Sequence, residues 1–276
     1  MPRVLSRGPE AISPTAHYTG VVWARHGLSH PALATAEGRL LYAALTPAML
    51  ASTLAGGPSL EALLLARHRV IDHLLEAAID AGDATQVLEL AAGLSPRGWR
   101  MTERHGDAIT YVEADLPAMA ARKRRALDVL GGGPRVVDLD VLAPGGLEAL
   151  ADAFDPERGL AVITEGLLNY LDADAVDRLW GRIAAVLGRF PHGLYLSDLV
   201  LRGAGGATGR AFSALLSAFV RGHVHFHFYD EAAVIPALLR DGFDTADVRS
   251  PAEFPQLPGT LDHGAGLVRV VEARRH

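Results

Sequence analysis

Apolar and polar positions divide this chain into two textures. Up to about residue 85 apolar residues recur at helical spacing, and beyond it short apolar runs alternate with amphipathic windows. In the first region Ser13-Pro14 has the form of an N-cap followed by proline at the first helical position. A second helix is predicted to begin near Ser59, with a stripe of Leu60, Leu63, Leu64, Ile71, Leu74, Leu75 and Ala78. Arg67 falls on that stripe where an apolar residue is due. An inward-pointing cation requires a partner.

From residue 86 the pattern predicts seven strands: QVLEL, AITYVEA, RVVDL, GLAVITEG, GLYLSDL, FDTADVR and GLVRVVEA. Between them fall helices through RGWRMTE, from Leu116 to about Leu130 before Gly131-Gly132-Gly133, and along Val176, Leu179, Trp180, Ile183, Val186 and Leu187. Further helices are expected with Phe212, Leu215, Leu216 and Phe219 on one face, and near Asp230 to Arg240, where Pro236 introduces a kink. Alternation of this kind makes βαβ units and a mostly parallel sheet covered on both faces. The last two strands have no helix between them and are expected to pair as an antiparallel hairpin. The expected architecture is a doubly wound, Rossmann-like α/β unit over 86–276, with a helical N-terminal extension or lid over 1–85.

Composition narrows the chemistry. The 276 residues include no cysteine, which excludes disulfide, iron–sulfur and thiolate-zinc chemistry. A net charge of −6 argues against a nucleic-acid partner. No apolar run reaches the ~18 residues of a membrane span, and the first residues lack a secretory hydrophobic core. A cytoplasmic protein is expected. Basic residues are almost all arginine, Lys123 being the single lysine.

Ligands in such sheets sit beyond the carboxyl ends of the strands. The first strand ends in LELAAGLSPRG, where Gly93 permits close backbone approach, although G-x-G-x-x-G is absent. Some 20 residues on, Glu113 and Asp115 stand at the second strand end, placed for ribose hydroxyls; Asp115 as a helix N-cap is the alternative. Asp138 and Asp140 follow the third strand, and Glu165, Asn169 and Tyr170 the fourth. Acids at successive strand ends suit hydroxyls and an ammonium and suit a pyrophosphate badly, which favours S-adenosylmethionine over NAD.

VLELAAGLSPRGWRMT, YVEADLPAMAARKRRAL and AVITEGLLNYL closely resemble the leucine carboxyl methyltransferase-like family of S-adenosylmethionine-dependent O-methyltransferases. ARHRVID, with ISPTAHYTG, GLSHPALAT and GRLLY near the N-terminus, is similar to the bacterial branch that includes tetracenomycin-type polyketide enzymes. The resemblance implies a class I methyltransferase fold with cofactor contacts from Arg67, Glu89, Gly93, Asp115, Asp138, Leu139 and Glu165. Arg67 would take the methionyl carboxylate, Asp115 the ribose, Asp138 and Leu139 the adenine, and Glu165 the ammonium. Tyr170 corresponds to a tyrosine facing the substrate in protein-carboxylate members.

Substrate positioning is expected from Tyr170, Tyr18 and His17. A phenol acceptor would need a base, and His17, His26, His223, His225 and His227 are candidates; a carboxylate acceptor would need none. RGHVHFHFYD reads as a strand with alternate histidines on one face, as a pocket wall, a structural segment or a metal site, but it forms no compact acid–histidine cluster and no metal is expected. Three function classes follow. The first is an O-methyltransferase of a carboxylate or hydroxyl on a small, polyketide-like secondary metabolite. The second is a protein or peptide carboxyl methyltransferase, and the third is a non-methylating member of the fold. Monomer and homodimer both remain open.

Overall fold

A helical layer followed by a strand-rich unit is what forms. The computed structural model describes residues 14–202 and 224–276. Helix α1 (Pro14–Arg25) has proline at its first position; Ser13 lies outside the described residues. Helix α2 (Ala36–Leu54) is not foreshadowed by the apolar periodicity. Thr35 caps it by accepting from the Gly38 N–H at 3.0 Å, but residues 40–60 carry no charge, so no polar face marks the helical period. Leu41, Tyr42, Leu45 and Met49 rest it against α1 and its neighbours. Helix α3 (Leu60–Asp80) starts where the sequence indicates, with Ser59 Oγ accepting from the Ala62 N–H at 3.1 Å.

The strands are β1 (Gln86–Leu90), β2 (Thr110–Asp115), β3 (Arg135–Asp138), β4 (Leu160–Thr164), β5 (Gly193–Val200), β6 (Thr245–Arg249) and β7 (Val268–Arg275). Between them run α4 (Arg97–His105), α5 (Pro117–Leu130), α6 (Gly146–Ala151), α7 (Ala173–Leu187) and α8 (Glu231–Arg240). Gly131 ends α5 in the left-handed conformation at φ 79°, which a glycine adopts without steric cost. Asp230 caps α8, which runs on through Pro236. The sheet order is β3-β2-β1-β4-β5-β7-β6. The first five strands pair in parallel, and β7 is antiparallel to both β5 and β6.

The expected β6–β7 pairing forms, with one addition: β7 inserts between β6 and β5, in register from Gly193↔Arg275 to Val200↔Val268. That occupies the edge of β5, and the histidine segment finds no ladder there. Residues 224–228 are not a strand; instead the His225 N–H donates to the Asn169 carbonyl at 2.8 Å. The predicted helix with Phe212, Leu215, Leu216 and Phe219, and His223, lie outside the described residues.

Strand alternation sorts the core into two layers. Leu88, Leu90, Val162 and Tyr195 face α6, α7 and α8, with Trp180 fully buried among them. Val87, Ala161, Ile163, Leu194 and Leu196 face α3 and α4. On that second face Lys123 of α5 is 1% exposed, bonded to the Ser95 carbonyl and 2.7 Å from Glu113. Burial pushes the Glu113 carboxyl up to about 7, the lysine acting against it. No helix among the described residues is long and apolar enough to cross a membrane.

Candidate active site

The strand order reverses between β1 and β4, and a crevice opens there beyond their carboxyl ends. It holds a cavity of about 310 Å³. The turn after β1 forms its floor. Ala91 has φ 51° and Gly93 φ 55°, so two residues of this short turn are left-handed, one of them carrying a Cβ. Strain of this kind is held only where surrounding structure enforces it. Here the enforcing group is Asp115 at the end of β2: its Oδ2 accepts from the Gly93 N–H and its Oδ1 from the Leu116 N–H, each at 2.7 Å. Helix α5 starts without a side-chain cap, so Asp115 does not serve as its N-cap. Burial raises the Asp115 carboxyl, and the two backbone donors offset part of the rise.

Opposite the turn stands Arg67. Its Nε donates to Glu165 at 3.1 Å and its Nη1 to Asp198 at 3.0 Å. Burial works against its charge, but Asp198 and Glu165 outweigh that and raise its pKa. Gly166, at φ 72°, leaves room for the guanidinium, since a Cβ there would lie 2.8 Å from Arg67 Nη2. Behind Arg67 lies a buried chain of charge. Arg97, 0% exposed, donates to Asp72 at 2.6 Å, Glu89 at 2.7 Å and Glu165 at 2.5 Å. His68 Nδ1 is 2.9 Å from Glu165 and the Tyr111 hydroxyl donates to Glu89 at 2.7 Å. Burial alone would raise Glu165; His68, Arg97 and Arg67 overcome it and hold the carboxyl far below the usual carboxylate range. Two polar atoms at the cavity wall, Thr15 Oγ1 and Trp23 Nε1 of α1, are buried without a hydrogen-bond partner among the described residues.

Arg67, Gly93, Asp115, Glu165 and Tyr170 thus converge on one cavity, from four separate stretches of sequence. Tyr18 lines a chamber beside it and stacks on Tyr42 at 5.5 Å. Four expected residues are elsewhere. Glu89 alternates onto the α3–α4 face of β1, where Arg97 and Tyr111 take its carboxylate. Asp138 turns outward to Arg124 at 2.8 Å. Leu139 extends the β2–β3 pairing through its N–H to the Asp115 carbonyl, and its side chain packs on the core. His17 is buried against Thr35 Oγ1 at 2.7 Å, bracing the α2 cap. Of the other histidines, His26 pairs with Glu61 at 2.8 Å, and the His225 and His227 rings stack 6.0 Å apart. No cluster of metal-ligating side chains occurs among the described residues. Asp198, Arg97 and His68 are the charged and polar partners of Arg67 and Glu165 that periodicity does not flag; the signal for Asp198 is a carboxylate inside the apolar run GLYLSDL, the counterpart of Arg67 on its apolar stripe.

The leucine carboxyl methyltransferase family model matches residues 29–184, more than half of the chain. A Mycobacteroides abscessus protein, provisionally named an S-adenosyl-L-methionine-dependent methyltransferase, is 40% identical over 122 residues, covering 43% of this chain and 40% of that protein. A Mycobacterium tuberculosis protein with the same provisional name is 38% identical over 131 residues, 46% of this chain and 42% of its own length. The matched stretches thus span well under half of these relatives. Among solved structures, a protein of Streptomyces avermitilis described as a DUF574 family member superposes with TM-score 0.68 at 12% identity, covering 95% and 97% of the two chains. A Thermobifida fusca protein, provisionally described as a methyltransferase, gives 0.64 at 16%, covering 94% of each. These likenesses establish a class I methyltransferase sheet, and with the family match they place the chain in the leucine carboxyl methyltransferase family.

Proposed function

We propose that the chain is an S-adenosylmethionine-dependent O-methyltransferase acting on a small molecule. The observation that carries this reading is the convergence of Arg67, Glu165, Asp115 and the left-handed Gly93 turn on one cavity at the switch point. The residues fit the cofactor. Arg67 would hold the methionyl carboxylate and Glu165 the ammonium. Asp115, fixed by two backbone N–H groups, would accept from the ribose hydroxyls. Leu116 and Met119 would flank the adenine, in place of Asp138 and Leu139. Thr15 Oγ1 and Trp23 Nε1 supply hydrogen-bonding positions that the chain itself leaves open.

When bound, the cofactor supplies an activated methyl group with a neutral thioether as leaving group. The protein's share is alignment and exclusion of water. Helix α1 contributes Thr15, Thr19 and Trp23 to the cavity wall and so serves as a cover over it, whereas α3 packs on the sheet as part of the core. Holding two reactants at near-attack distance contributes up to about 7–11 kcal/mol. Tyr170 and Tyr18 would position the acceptor. The resemblance to small-molecule enzymes of the bacterial branch favours a small acceptor over a peptide carboxyl terminus, and the narrower polyketide reading rests on that resemblance alone. Calorimetry tests the proposal: S-adenosylhomocysteine should bind and NAD should not. Tight NAD binding without S-adenosylhomocysteine binding would overturn it, and binding without methyl transfer to any acceptor would favour the non-methylating class.

A further inference from the structure

A smaller chamber of about 40 Å³ adjoins the main cavity. Thr15, Arg67, Gly166 and Tyr170 line both spaces and so form the partition between them. Leu60, Leu63, Leu64 and Val200 make its walls apolar, and Tyr18, Asn169 and Asp198 bring polar groups to it. Asn169 is already engaged: its amide donates to the His225 carbonyl at 2.7 Å and its Oδ1 accepts from the Val200 N–H at 2.9 Å. Burial, then Glu61, raises the Tyr18 hydroxyl and keeps it protonated. Asp198 is the carboxylate lining this chamber. It is 3% exposed, with Oδ1 accepting from the Gly166 N–H at 2.5 Å and Oδ2 from Arg67 Nη1 at 3.0 Å. Each carboxylate oxygen offers two acceptor positions, so one remains on each.

We propose that this chamber receives a hydroxyl-bearing group of the methyl acceptor, and that Asp198 is the base that takes its proton. The inference rests on the cofactor reading above and resolves the choice between hydroxyl and carboxylate that it leaves open. Arg67 borders both spaces; once its guanidinium engages the methionyl carboxylate, Asp198 Oδ2 gains a second open acceptor position. A carboxylate acceptor in the chamber would then meet Asp198 with Arg67, the one cation among the described residues that line it, already matched, and like charges are least tolerable where water is excluded. A neutral hydroxyl instead donates to Asp198. Burial raises the Asp198 carboxyl against the pull of Arg67, so it is a stronger base than an exposed carboxylate. In the step, the hydroxyl proton passes to Asp198 Oδ2. The acceptor oxygen bonds to the methyl carbon while the carbon–sulfur bond breaks with its electron pair going to sulfur. The products are a methyl ether, a neutral thioether and protonated Asp198, which releases its proton to water.

Phenol and benzoate, matched single-ring probes, test the assignment by ligand-observed NMR on protein saturated with S-adenosylhomocysteine. Wild type should bind phenol at least fivefold more tightly than benzoate. Asp198→Asn, checked for folding by near-ultraviolet circular dichroism, should abolish or reverse that preference. Equal affinity, a preference for benzoate, or binding of neither probe by wild type overturns the inference, and so does a folded Asp198→Asn variant with the wild-type preference. The wild-type comparison stands even if the variant does not fold. Failure of S-adenosylhomocysteine to bind wild type refutes the cofactor reading and this inference together, whereas its binding without phenol preference removes this inference alone.

Discussion

Arg67→Ala separates ligand binding from fold stability at one position. The guanidinium bridges Glu165 and Asp198 at 3.1 and 3.0 Å, and its removal leaves them unequally provided. Glu165 keeps Arg97 and His68. Asp198 keeps the Gly166 N–H but no counter-charge described at salt-bridge distance. The stability loss is therefore that of one buried carboxylate losing its cation, about 3–5 kcal/mol at pH 8. Its pH dependence has a definite sign. Burial raises the folded-state pKa of Asp198 above its unfolded value, and removing the arginine raises it further. The penalty is then present above the folded pKa and is relieved as pH falls through it, so the deficit at pH 5.5 should be smaller than at pH 8. S-adenosylhomocysteine affinity should fall by about 2–4 kcal/mol, roughly 30- to 900-fold, the range for losing one side of a buried charge pair. Arg67→Lys should recover part of this, because a point charge does not reproduce a two-pronged contact. Calorimetry and urea unfolding at the two pH values measure both effects. If Arg67→Ala binds S-adenosylhomocysteine as wild type does, yet unfolds at lower urea, Arg67 is a structural ion-pair residue and its cofactor role is refuted.

Lys123→Met strands Glu113, which burial already pushes up to about 7; the loss should be about 3–5 kcal/mol at pH 8 and shrink below pH 7 as that carboxyl protonates, read by urea unfolding, and a pH-independent loss would contradict the pairing. Gly98→Ala in α4 gains about 1 kcal/mol of helix propensity, but the new Cβ overlaps the Glu113 carboxylate and lies 2.7 Å from Pro134 Cγ; a net loss of about 1–2 kcal/mol is expected, and a raised melting temperature would show that the contact relaxes freely. Asp115→Ala removes the acceptor of the Gly93 and Leu116 N–H groups, and should weaken S-adenosylhomocysteine by about 2 kcal/mol in calorimetry. Methyl transfer should survive EDTA; loss on chelation with recovery on adding magnesium or zinc would point to a metal that the side chains do not suggest.

Periodicity was informative wherever one face of an element meets the core and the other meets water. Helices α3, α5 and α7 fall in that class, whereas strands β1, β2, β4 and β5, covered on both faces, were marked by short continuous apolar runs, and the motifs at their ends drew attention to the Gly93 turn, Asp115 and Glu165. Helix α2 escaped because its outer side is as apolar as its inner one: Leu40 and Leu54 are 74% and 80% exposed. The alternating histidines suggested a strand because alternation reports side-chain direction, whereas a strand also needs a partner, and β7 had taken the edge of β5. Glu89 was expected in the site among the cofactor contacts; its parity in β1 sends it to the opposite face, with Val87. Arg97 and His68 were invisible singly, since their pairing exists only where Asp72, Glu89 and Glu165, three acids from different elements, meet.

Lys123 carries a consequence for how this molecule can be handled. It is the chain's one lysine, and it is sealed beneath α5 with 1% of its surface exposed. Amine-directed acylating reagents therefore find no accessible lysine side chain in the native state. Any adduct on that residue records an event in which α5 lifted from the sheet, and its rate, divided by that of a free lysine, is the fraction of time the helix spends open. The chain thus contains one lysine clock for opening beside the β2 end of the cavity, read at Lys123 by peptide mapping and needing no engineered label.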